Sequence, residues 1–264
     1  MDRIFFVHSS RIIDSIITLS FDYMLDPVPN HTYIYYGPGS QDLLAIYRQH
    51  GINTDDFTVI HDRDFIPEYL HKFTPWLVQQ LAKLIALDTL DYDSILIQDC
   101  DTFAIKPYRY SEPTYFVYKE LMVLDTTQYR QVIKNYQSLT NMPASYGASF
   151  ISEFMPMKKS DWTAFKQHIA PDGQWLATLC KFIDSIDQLH FSEYEILGNW
   201  IADRTAIQTV EQRRLEIKNS TQRHWEQLLS TGHFNCVCLY KNFTWSDIDR
   251  VVSVIKNQIK ATDY

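Results

Sequence analysis

Glycine is scarce in this chain, which has only 7 glycines among its 264 residues. Neither GxGxxG nor GxxxxGK[ST] occurs in the sequence, and these are the patterns by which glycine-rich loops bring backbone amides close to phosphate. The common dinucleotide-binding and P-loop motifs are therefore excluded. If the protein binds a nucleotide, other residues must hold it.

Long hydrophobic runs are absent, and cysteines are few. No segment approaches the roughly 18 apolar residues that a membrane span needs, and the apolar stretch 4–7 is too short for the core of a signal peptide. The four cysteines are Cys100, Cys180, Cys236 and Cys238. The last two form a single CxC with no second pair to complete a zinc site. We expect buried reduced thiols, no membrane span and a cytoplasmic location.

Positive charge is in deficit, because 24 Lys and Arg stand against 32 Asp and Glu and give a net charge of -8. The field of the whole molecule therefore does not attract nucleic acid or anionic lipid, although a local basic patch is still allowed. The composition, 45% hydrophobic and 21% charged, is that of an ordinary globular protein. A chain of this length can bury a full core, and we predict one domain over 1–264.

The first 110 residues alternate strands with helices. Apolar runs that end in polar loops predict strands at 3–7, 32–36 and 57–60, and the apolar run after Asp93 predicts a fourth strand that ends at Asp99. Helical spacing predicts helices at 12–25, 42–50 and 76–87, the last with Thr74 as N-cap and Pro75 at its first position. Repeated strand-helix units imply a mainly parallel central sheet flanked by helices, with its loops gathered at one edge.

Polar residues at that edge are the first candidates for a binding site, because ligands of open α/β sheets bind at the carboxyl ends of the strands. These residues follow the four predicted strands and are Ser9, Ser10, Tyr36, Gly37, Asp62, Asp99 and Asp101.

After Pro107 the pattern is less regular. Strands are predicted at 114–118, 150–157, 214–218 and 235–240. Helices are predicted at 125–139, 161–169, 174–189, 193–204 and 246–260, with Ser160 or Asp161 capping the second and Ser192 capping the fourth. The predicted fold class is α/β, with a regular half at 1–110 and a less regular half at 111–264.

One Asp-x-Asp pair differs from the others in its context. The sequence has four such pairs, Asp62/Asp64, Asp91/Asp93, Asp99/Asp101 and Asp247/Asp249. Only Asp99 ends a buried strand, whereas the second pair lies in a turn and the fourth in the first turn of a helix, where acids are common. Two carboxylates this close repel unless a cation neutralises them, and a hard divalent metal that also contacts phosphate is the usual remedy. Asp99 and Asp101 therefore form either a metal site or a solvated strand end.

These residues resemble a known family. Lys83-Leu84, Tyr92 and Asp99-Cys100-Asp101-Thr102, with the lysine sixteen positions before Asp99, are similar to the nucleotide-sugar signature of GT-A-fold glycosyltransferases of the glycogenin-like family 8. Gln98 to Phe103 and Ser192-Glu193-Tyr194-Glu195 resemble still more a group of poorly characterised bacterial and viral GT-A transferases.

The resemblance implies a Rossmann-like GT-A fold and a UDP-sugar donor, with Mn²⁺ or Mg²⁺ bridging Asp101 and the diphosphate. Under this hypothesis Asp99 assists the metal or holds the ribose. Other donor contacts come from Ser9, Ser10, Arg11, Tyr36, Asp62, Lys83 and Lys241. A C-terminal histidine, His224 or His233, is the candidate third metal ligand. The half at 1–110 would bind the nucleotide-sugar, and the half at 111–264 would bind an acceptor such as a glycan.

Glu193 and Glu195 are the candidate acceptor-side acids that accompany Asp99 in the catalytic set. In an inverting enzyme one of them would deprotonate the acceptor hydroxyl. In a retaining enzyme it would bind the acceptor or stabilise the oxocarbenium-like centre. The alternative is structural, because carboxylates are stabilised at the start of any helix.

Three alternatives remain open at this stage. The first is transfer of sugar to a modified base in DNA, with a basic patch made of Lys158, Lys159, Arg213, Arg214, Lys218 and Arg223. The second is a nucleotidyltransferase, which uses a similar sheet but typically has a glycine-rich loop after the first strand. The third is a sugar-binding protein without activity.

Overall fold

The computed structural model describes residues 1–37, 41–109, 114–117, 119, 126–144, 147–217, 224–239 and 243–262, with only the backbone at 114, 116, 224, 261 and 262. Its strands are β1 Asp2–Val7, β2 Leu25–Asp26, β3 Thr32–Tyr36, β4 Phe57–His61, β5 Ser94–Asp99, β6 Thr102–Ala104, β7 Tyr108–Arg109, β8 Thr114–Val117, β9 Phe154–Lys158, β10 Gln208–Glu211, β11 Arg214–Ile217 and β12 Cys236–Leu239. Its α-helices are α1 Ile12–Leu19, α2 Leu43–Gln49, α3 Asp62–Phe65, α4 Pro75–Thr89, α5 Thr127–Thr140, α6 Lys159–Ile169, α7 Trp175–Ile183, α8 Glu193–Ala202, α9 His224–Leu229 and α10 Ile248–Thr262.

The chain forms two compact units, and neither is a continuous stretch of sequence. The first unit contains Met1–Asp64, Gln98–Glu112 and Gln212–Tyr264. The second contains Phe65–Ile97 and Pro113–Glu211. The chain therefore passes between the units within β5, whose last two residues, Gln98 and Asp99, belong to the first unit. One domain with halves at 1–110 and 111–264 stays a prediction.

Parallel strands form the core of the first unit, as the alternation of strands and helices predicts. β3 lies between β1 and β4, and both pairings are parallel. Val7 is in register with Tyr36, and Tyr36 with His61, so the carboxyl ends of the three strands are level. The residues of β1 after Asp2 are nearly all buried, which is typical of a parallel strand covered on both faces.

The other strands of the first unit are short. β12 pairs in parallel with β11 and antiparallel with β6. The pairing of β12 with β6 extends to the residue before β6, because the Leu239 amide donates to the Asp101 carbonyl at 2.7 Å. The hydroxyl of Thr18 in α1 donates to the Cys100 carbonyl at 2.8 Å. The turn that carries Asp99 and Asp101 is thus attached to β12 on one side and to α1 on the other.

The second unit is mainly helical, with β9 beside β5 and β8 parallel to β10. Trp162 lies in its core and meets Trp175 edge-on, with ring centroids 5.0 Å apart. Gly198 in α8 packs directly on Phe150, and an added Cβ would lie only 2.6 Å from Cδ1 of that ring. A glycine is therefore required for the close approach of α8 to the segment at 149–150.

Helix caps confirm several predicted starts. The Thr74 hydroxyl accepts from the Leu77 amide at 3.3 Å at the start of α4, and Pro75 occupies the first helical position. The Ser192 hydroxyl accepts from the Glu195 amide at 3.3 Å at the start of α8. Such helix starts can be predicted from local sequence because the capping residue and the amide that it accepts from are only three residues apart.

Two predicted starts were wrong. The strand predicted at 150–157 begins only at Phe154, because Glu153 has a left-handed backbone with φ of 56° and the Phe150 amide donates to a side chain instead of a strand. The helix predicted at 161–169, with Ser160 or Asp161 as cap, begins at Lys159 directly after β9. The Lys159 amide donates to the Asp93 carbonyl at 2.9 Å and needs no capping side chain.

Two predicted helices are shorter than expected. The helix at 12–25 ends at Leu19, where the Ser20 hydroxyl bonds back to the Ile16 carbonyl at 2.9 Å. The helix at 174–189 ends at Ile183, and the Asp187 side chain starts a new 3-10 turn by accepting from the Leu189 amide at 3.0 Å. In both cases a short polar side chain competes with the helical hydrogen bonds.

Two predictions from composition can be compared with the structure. All four cysteines are buried, which confirms the burial that the sequence predicts, and none of them is in a disulfide in this structure. Within the described ranges, no helix is both long and apolar enough to cross a membrane.

Candidate functional site

The loop after β1 is a tight polar turn at the carboxyl edge of the parallel strands. His8 Nδ1 accepts from the Ser10 amide at 3.1 Å and lies 2.8 Å from the Ser10 hydroxyl. Ser9, Ser10 and Arg11 form a single 3-10 turn that leads into α1. Gly37, after β3, donates its amide to the Val7 carbonyl at 2.8 Å. The loops after β1 and β3 therefore meet, as predicted for this edge.

Arg11 connects this turn to the carboxylate pair. Its Nη2 donates to Oδ2 of Asp101 at 2.5 Å and to the Leu239 carbonyl at 3.0 Å, while Nε lies 2.6 Å from Oδ2 of Asp14. Burial lowers the pKa of Arg11, but the charges of Asp101 and Asp14 outweigh burial and raise it. Arg11 thus supplies positive charge to Asp101, although the two residues are 90 positions apart in the sequence.

Asp99 and Asp101 differ in their surroundings. Asp99 ends β5 and is half-buried, whereas Asp101 lies in the following turn with 29% of its side chain exposed. The second carboxylate oxygen of Asp101, Oδ1, accepts from the Thr102 hydroxyl at 3.3 Å. Between them, Cys100 is buried, and burial raises the pKa of its thiol well above the usual value. Burial therefore favours the neutral form of this thiol.

Tyr36 places a polar atom at the same edge. Its ring is fully buried beside His61, with centroids 5.9 Å apart. Its hydroxyl is buried and has no hydrogen-bond partner among the residues that the structure describes. Burial raises the pKa of this hydroxyl, which therefore stays protonated and can donate. Asp62 follows β4 at this edge, and its charge adds to the effect of burial in raising the pKa of Tyr35.

Lys83 and Glu193 form a buried ion pair in the second unit. Lys83 Nζ in α4 donates to Oε1 of Glu193 in α8 at 2.7 Å, and neither side chain is exposed. The ammonium also lies 4.3 Å from the ring centroid of Tyr194. Gln80, with its amide nitrogen turned toward Glu193, donates to the same carboxylate. Two helices are therefore joined by one carboxylate and its donors.

Glu195 is also fully buried in the second unit. Its Oε1 accepts from the Ser149 hydroxyl and from the Phe150 amide at 3.0 Å, and its Oε2 accepts from Asn199 Nδ2 at 3.0 Å. Burial raises the pKa of this carboxyl to about 7, although these hydrogen bonds lower it. Glu195 therefore holds the segment at 149–150 against α8. Its titration falls near neutral pH.

Sequence reasoning missed several partners of the predicted residues. Asp14 lies three positions after Arg11, Gln80 three before Lys83, and Asn199 four after Glu195, so helical spacing contains a signal for each. Ser149 gives no such signal, because it lies 46 positions from Glu195.

Some predicted residues contribute little to the described site. Lys241 lies outside the described residues, and only the backbone of His224 is described, at the start of α9. His233 is exposed in the turn after α9. Within the described ranges, no group of three His, Cys, Asp or Glu side chains could hold a metal ion. Asp99 and Asp101 are thus two candidate ligands, and the described residues supply no third beside them.

The proposed basic patch is not favoured by the geometry. Lys159 Nζ caps the end of α4, donating to the carbonyls of Leu87 and Leu90 at 2.9 Å and 2.7 Å. Arg214 lies 3.2 Å from Glu216. Lys218 and Arg223 fall outside the described residues. A DNA acceptor therefore gains no support.

No known protein family and no curated protein sequence matches this chain. Solved structures do match. The chain is similar to an active-site mutant of LgtC, a protein described as a galactosyltransferase. The TM-score is 0.53 at 12% sequence identity, and the match covers 97% of this chain and 96% of LgtC. It is also similar to the bifunctional glycosyltransferase WbbM, with a TM-score of 0.54 and 8% identity, covering 98% of this chain and 51% of WbbM. At such low identity these matches show the fold. The α/β class with a mostly parallel sheet flanked by helices is confirmed.

Proposed function

We propose that this protein is a glycosyltransferase that moves a sugar from a nucleotide diphosphate sugar to an acceptor hydroxyl, and that the donor is a UDP-sugar. The observation that carries the proposal is the contact between Arg11 and Asp101. It brings the Asp99-Asp101 turn together with the loop after β1, at the carboxyl edge of a parallel sheet, where α/β folds bind ligands. The same fold in two solved glycosyltransferases supports this assignment.

The nucleoside end of the donor is assigned to the edge formed by β1, β3 and β4. Ser9, Ser10, Tyr36 and Asp62 supply hydroxyls and a carboxylate there, which suit the polar edges of a base and the ribose hydroxyls. The Tyr36 hydroxyl, buried and without a described partner, is the strongest single contributor. A buried hydroxyl that gains a partner on ligand binding recovers the free energy lost by its burial.

Asp99 and Asp101 fit a divalent cation of the Mn²⁺ or Mg²⁺ kind. Carboxylate oxygens are the ligands that these ions prefer, and Mg²⁺ in particular is commonly held by one or two carboxylates plus substrate phosphates. When bound, the cation would supply positive charge where the departing diphosphate becomes more negative. Arg11 fixes the orientation of Asp101 by holding one carboxylate oxygen, and the partial exposure of Asp101 leaves the carboxylate open to solvent.

Glu193 and Glu195 are assigned to the acceptor side, and Lys83, which the sequence predicts as a donor contact, is reassigned to the same side because its ammonium is buried against Glu193. In this proposal Lys83 orients Glu193, and Glu195 positions the segment at 149–150. Glu193 and Glu195 are both fully buried, so a direct role in proton transfer requires that an acceptor reach them.

A thermal-shift experiment tests the proposal. UDP, GDP and TDP are each added with and without Mn²⁺, and we expect UDP and Mn²⁺ together to raise Tm by about 5 °C at a hundredfold excess over Kd. Asp101→Asn should abolish this shift. Asp91→Asn, in an exposed Asp-x-Asp pair elsewhere in the chain, is the matched control and should retain it.

The same samples distinguish the alternatives. Release of UDP from a UDP-sugar supports transfer or donor hydrolysis, whereas release of pyrophosphate from a nucleoside triphosphate would indicate a nucleotidyltransferase. A Tm that no nucleotide changes, with or without metal, would contradict the proposed function.

A further inference from the structure

A cavity lies at the amino-terminal end of the parallel strands in the first unit, opposite the carboxyl edge. It has a volume of about 450 Å³ and is lined by the amino-terminal residues of three strands, Arg3, Thr32 and Phe57. Arg3 and Val7 are four residues apart in β1, so this cavity lies on the order of 13 Å from the carboxyl edge. The proposed donor residues at that edge do not line it.

The charges of this cavity disfavour a phosphate-bearing ligand. Three carboxylates line it, from Asp22, Asp56 and Asp249, against the cations of Arg3 and Lys256. The cation of Arg3 is already paired, because its two Nη atoms contact the two oxygens of Asp22 at 2.7 Å and 2.8 Å. An anion would therefore meet more negative than positive charge.

The same lining suits a ligand rich in hydroxyls. Carboxylates accept hydrogen bonds from hydroxyls, and amide and imidazole groups such as those of Asn53 and His50 both donate and accept. The volume falls within the range typical of small-molecule sites.

Two exposed aromatic rings flank the cavity. Trp245 is 51% exposed and stacks on the lining residue His50, with ring centroids 5.6 Å apart and planes inclined by 20°. Tyr23 is 53% exposed, and its ring centroid lies 5.8 Å from Nζ of the lining residue Lys256. The faces of such aromatic rings stack on the apolar C–H faces of sugar rings.

We infer that this cavity, with Trp245 and Tyr23 at its rim, is a binding site for a neutral oligosaccharide. The rings stack on sugar faces, and the carboxylates, Asn53 and His50 bind the hydroxyls. The site is separate from the proposed donor site and does not depend on sugar transfer. A chain that contains both could hold a glycan at one edge of the sheet while the other edge binds the donor.

Saturation-transfer NMR tests this site without nucleotide or metal, so its outcome is independent of the donor proposal. The probes are maltohexaose, cellohexaose, laminarihexaose and chitotetraose, with a heparin hexasaccharide as the anionic comparison. We expect at least one neutral probe to bind. Trp245→Ala and Tyr23→Ala should each weaken its binding about tenfold.

Matched controls come from exposed aromatic residues of the second unit. Trp76 is 42% exposed and Tyr69 is 56% exposed, so Trp76→Ala and Tyr69→Ala remove similar surface and should leave binding unchanged. Circular dichroism verifies that each variant is folded. Three results would overturn the inference: no neutral probe binds, only the heparin fragment binds, or the control variants weaken binding as much as the rim variants.

Discussion

The two units differ in how they hold the ionisable side chains that the sequence selects. In the first unit, Arg11 and Asp101 meet with 11% and 29% of their side chains exposed. In the second unit, Lys83 and Glu193 meet with neither side chain exposed. A partly exposed pair can exchange its contacts for water or ligand at small cost, whereas a fully buried pair cannot separate without leaving a charge in a poor solvent. The first pair is therefore suited to binding and the second to fixing a geometry.

The largest effect that this comparison predicts comes from breaking the buried pair. Lys83→Met removes the ammonium and leaves the Glu193 carboxylate buried without its counter-charge. We expect the free energy of unfolding to fall by about 3–5 kcal/mol, measured by urea denaturation. Lys83→Met combined with Glu193→Leu should recover most of this loss, because no uncompensated charge then remains.

An exposed pair of the same unit provides the control. Lys72 and Asp184 lie 2.7 Å apart with 50% and 49% of their side chains exposed. Lys72→Met should change the free energy of unfolding by only about 0–1 kcal/mol. Equal losses for Lys72→Met and Lys83→Met would show that burial does not distinguish the two pairs.

The second prediction concerns the pH dependence of stability that Glu195 causes. Its pKa rises from 4.5 to about 7 in the folded protein. Between these values the native state holds a proton that the unfolded chain has released, so the free energy of unfolding falls as pH rises. The fall is complete above pH 7, absent below pH 4.5, and amounts to about 3 kcal/mol at most.

Urea denaturation at pH 5.0 and 7.5 measures this effect, and Glu195→Gln is the comparison. The variant cannot ionise at this position, so the loss of stability between the two pH values should be smaller than in the wild type. An equal loss in both proteins would assign the pH dependence to other groups. Ser149→Ala removes one hydrogen bond to the carboxylate and should raise the pKa of Glu195 further.

The same contrast explains how much of the protein could be predicted from its sequence. The alternation of strands and helices, the Thr74 cap and the position of the Asp99-Asp101 turn follow from patterns within a few residues, and the structure agrees with them. Contacts between distant residues carry no periodic signal. Arg11 and Asp101 are 90 positions apart, and Lys83 and Glu193 are 110 apart.

Prediction from local sequence also fails where a distant side chain accepts the hydrogen bond of a backbone amide that would otherwise pair in a strand. The residues from Phe150 onward have strand composition, but the Phe150 amide donates to Glu195, 45 positions away, and the strand starts later. Sequence reasoning therefore selected Glu195 and predicted an acceptor-side role for it, but could not identify Ser149 and Phe150 as its partners.

The smallest predicted effect on stability, and the most direct test of the first unit, comes from Arg11→Lys. Lysine keeps the charge but cannot reach Asp101, Asp14 and the Leu239 carbonyl together, since only the guanidinium presents several fixed donors. We expect the free energy of unfolding to fall by about 1 kcal/mol. Arg109→Lys, whose partner Asp26 is 58% exposed, should change it by less than about 0.5 kcal/mol.

A ligand readout then separates positioning from stability in Arg11→Lys. If Arg11 orients Asp101 for the donor, UDP and Mn²⁺ together raise the Tm of Arg11→Lys by less than they raise the Tm of the wild type, and the difference exceeds what the lower stability of the variant explains. In Arg109→Lys, the Tm rise caused by UDP and Mn²⁺ stays unchanged. If Arg11 only stabilises the fold, both variants keep the full rise. The second outcome would remove the link between the loop after β1 and the carboxylate pair on which the proposed donor site depends.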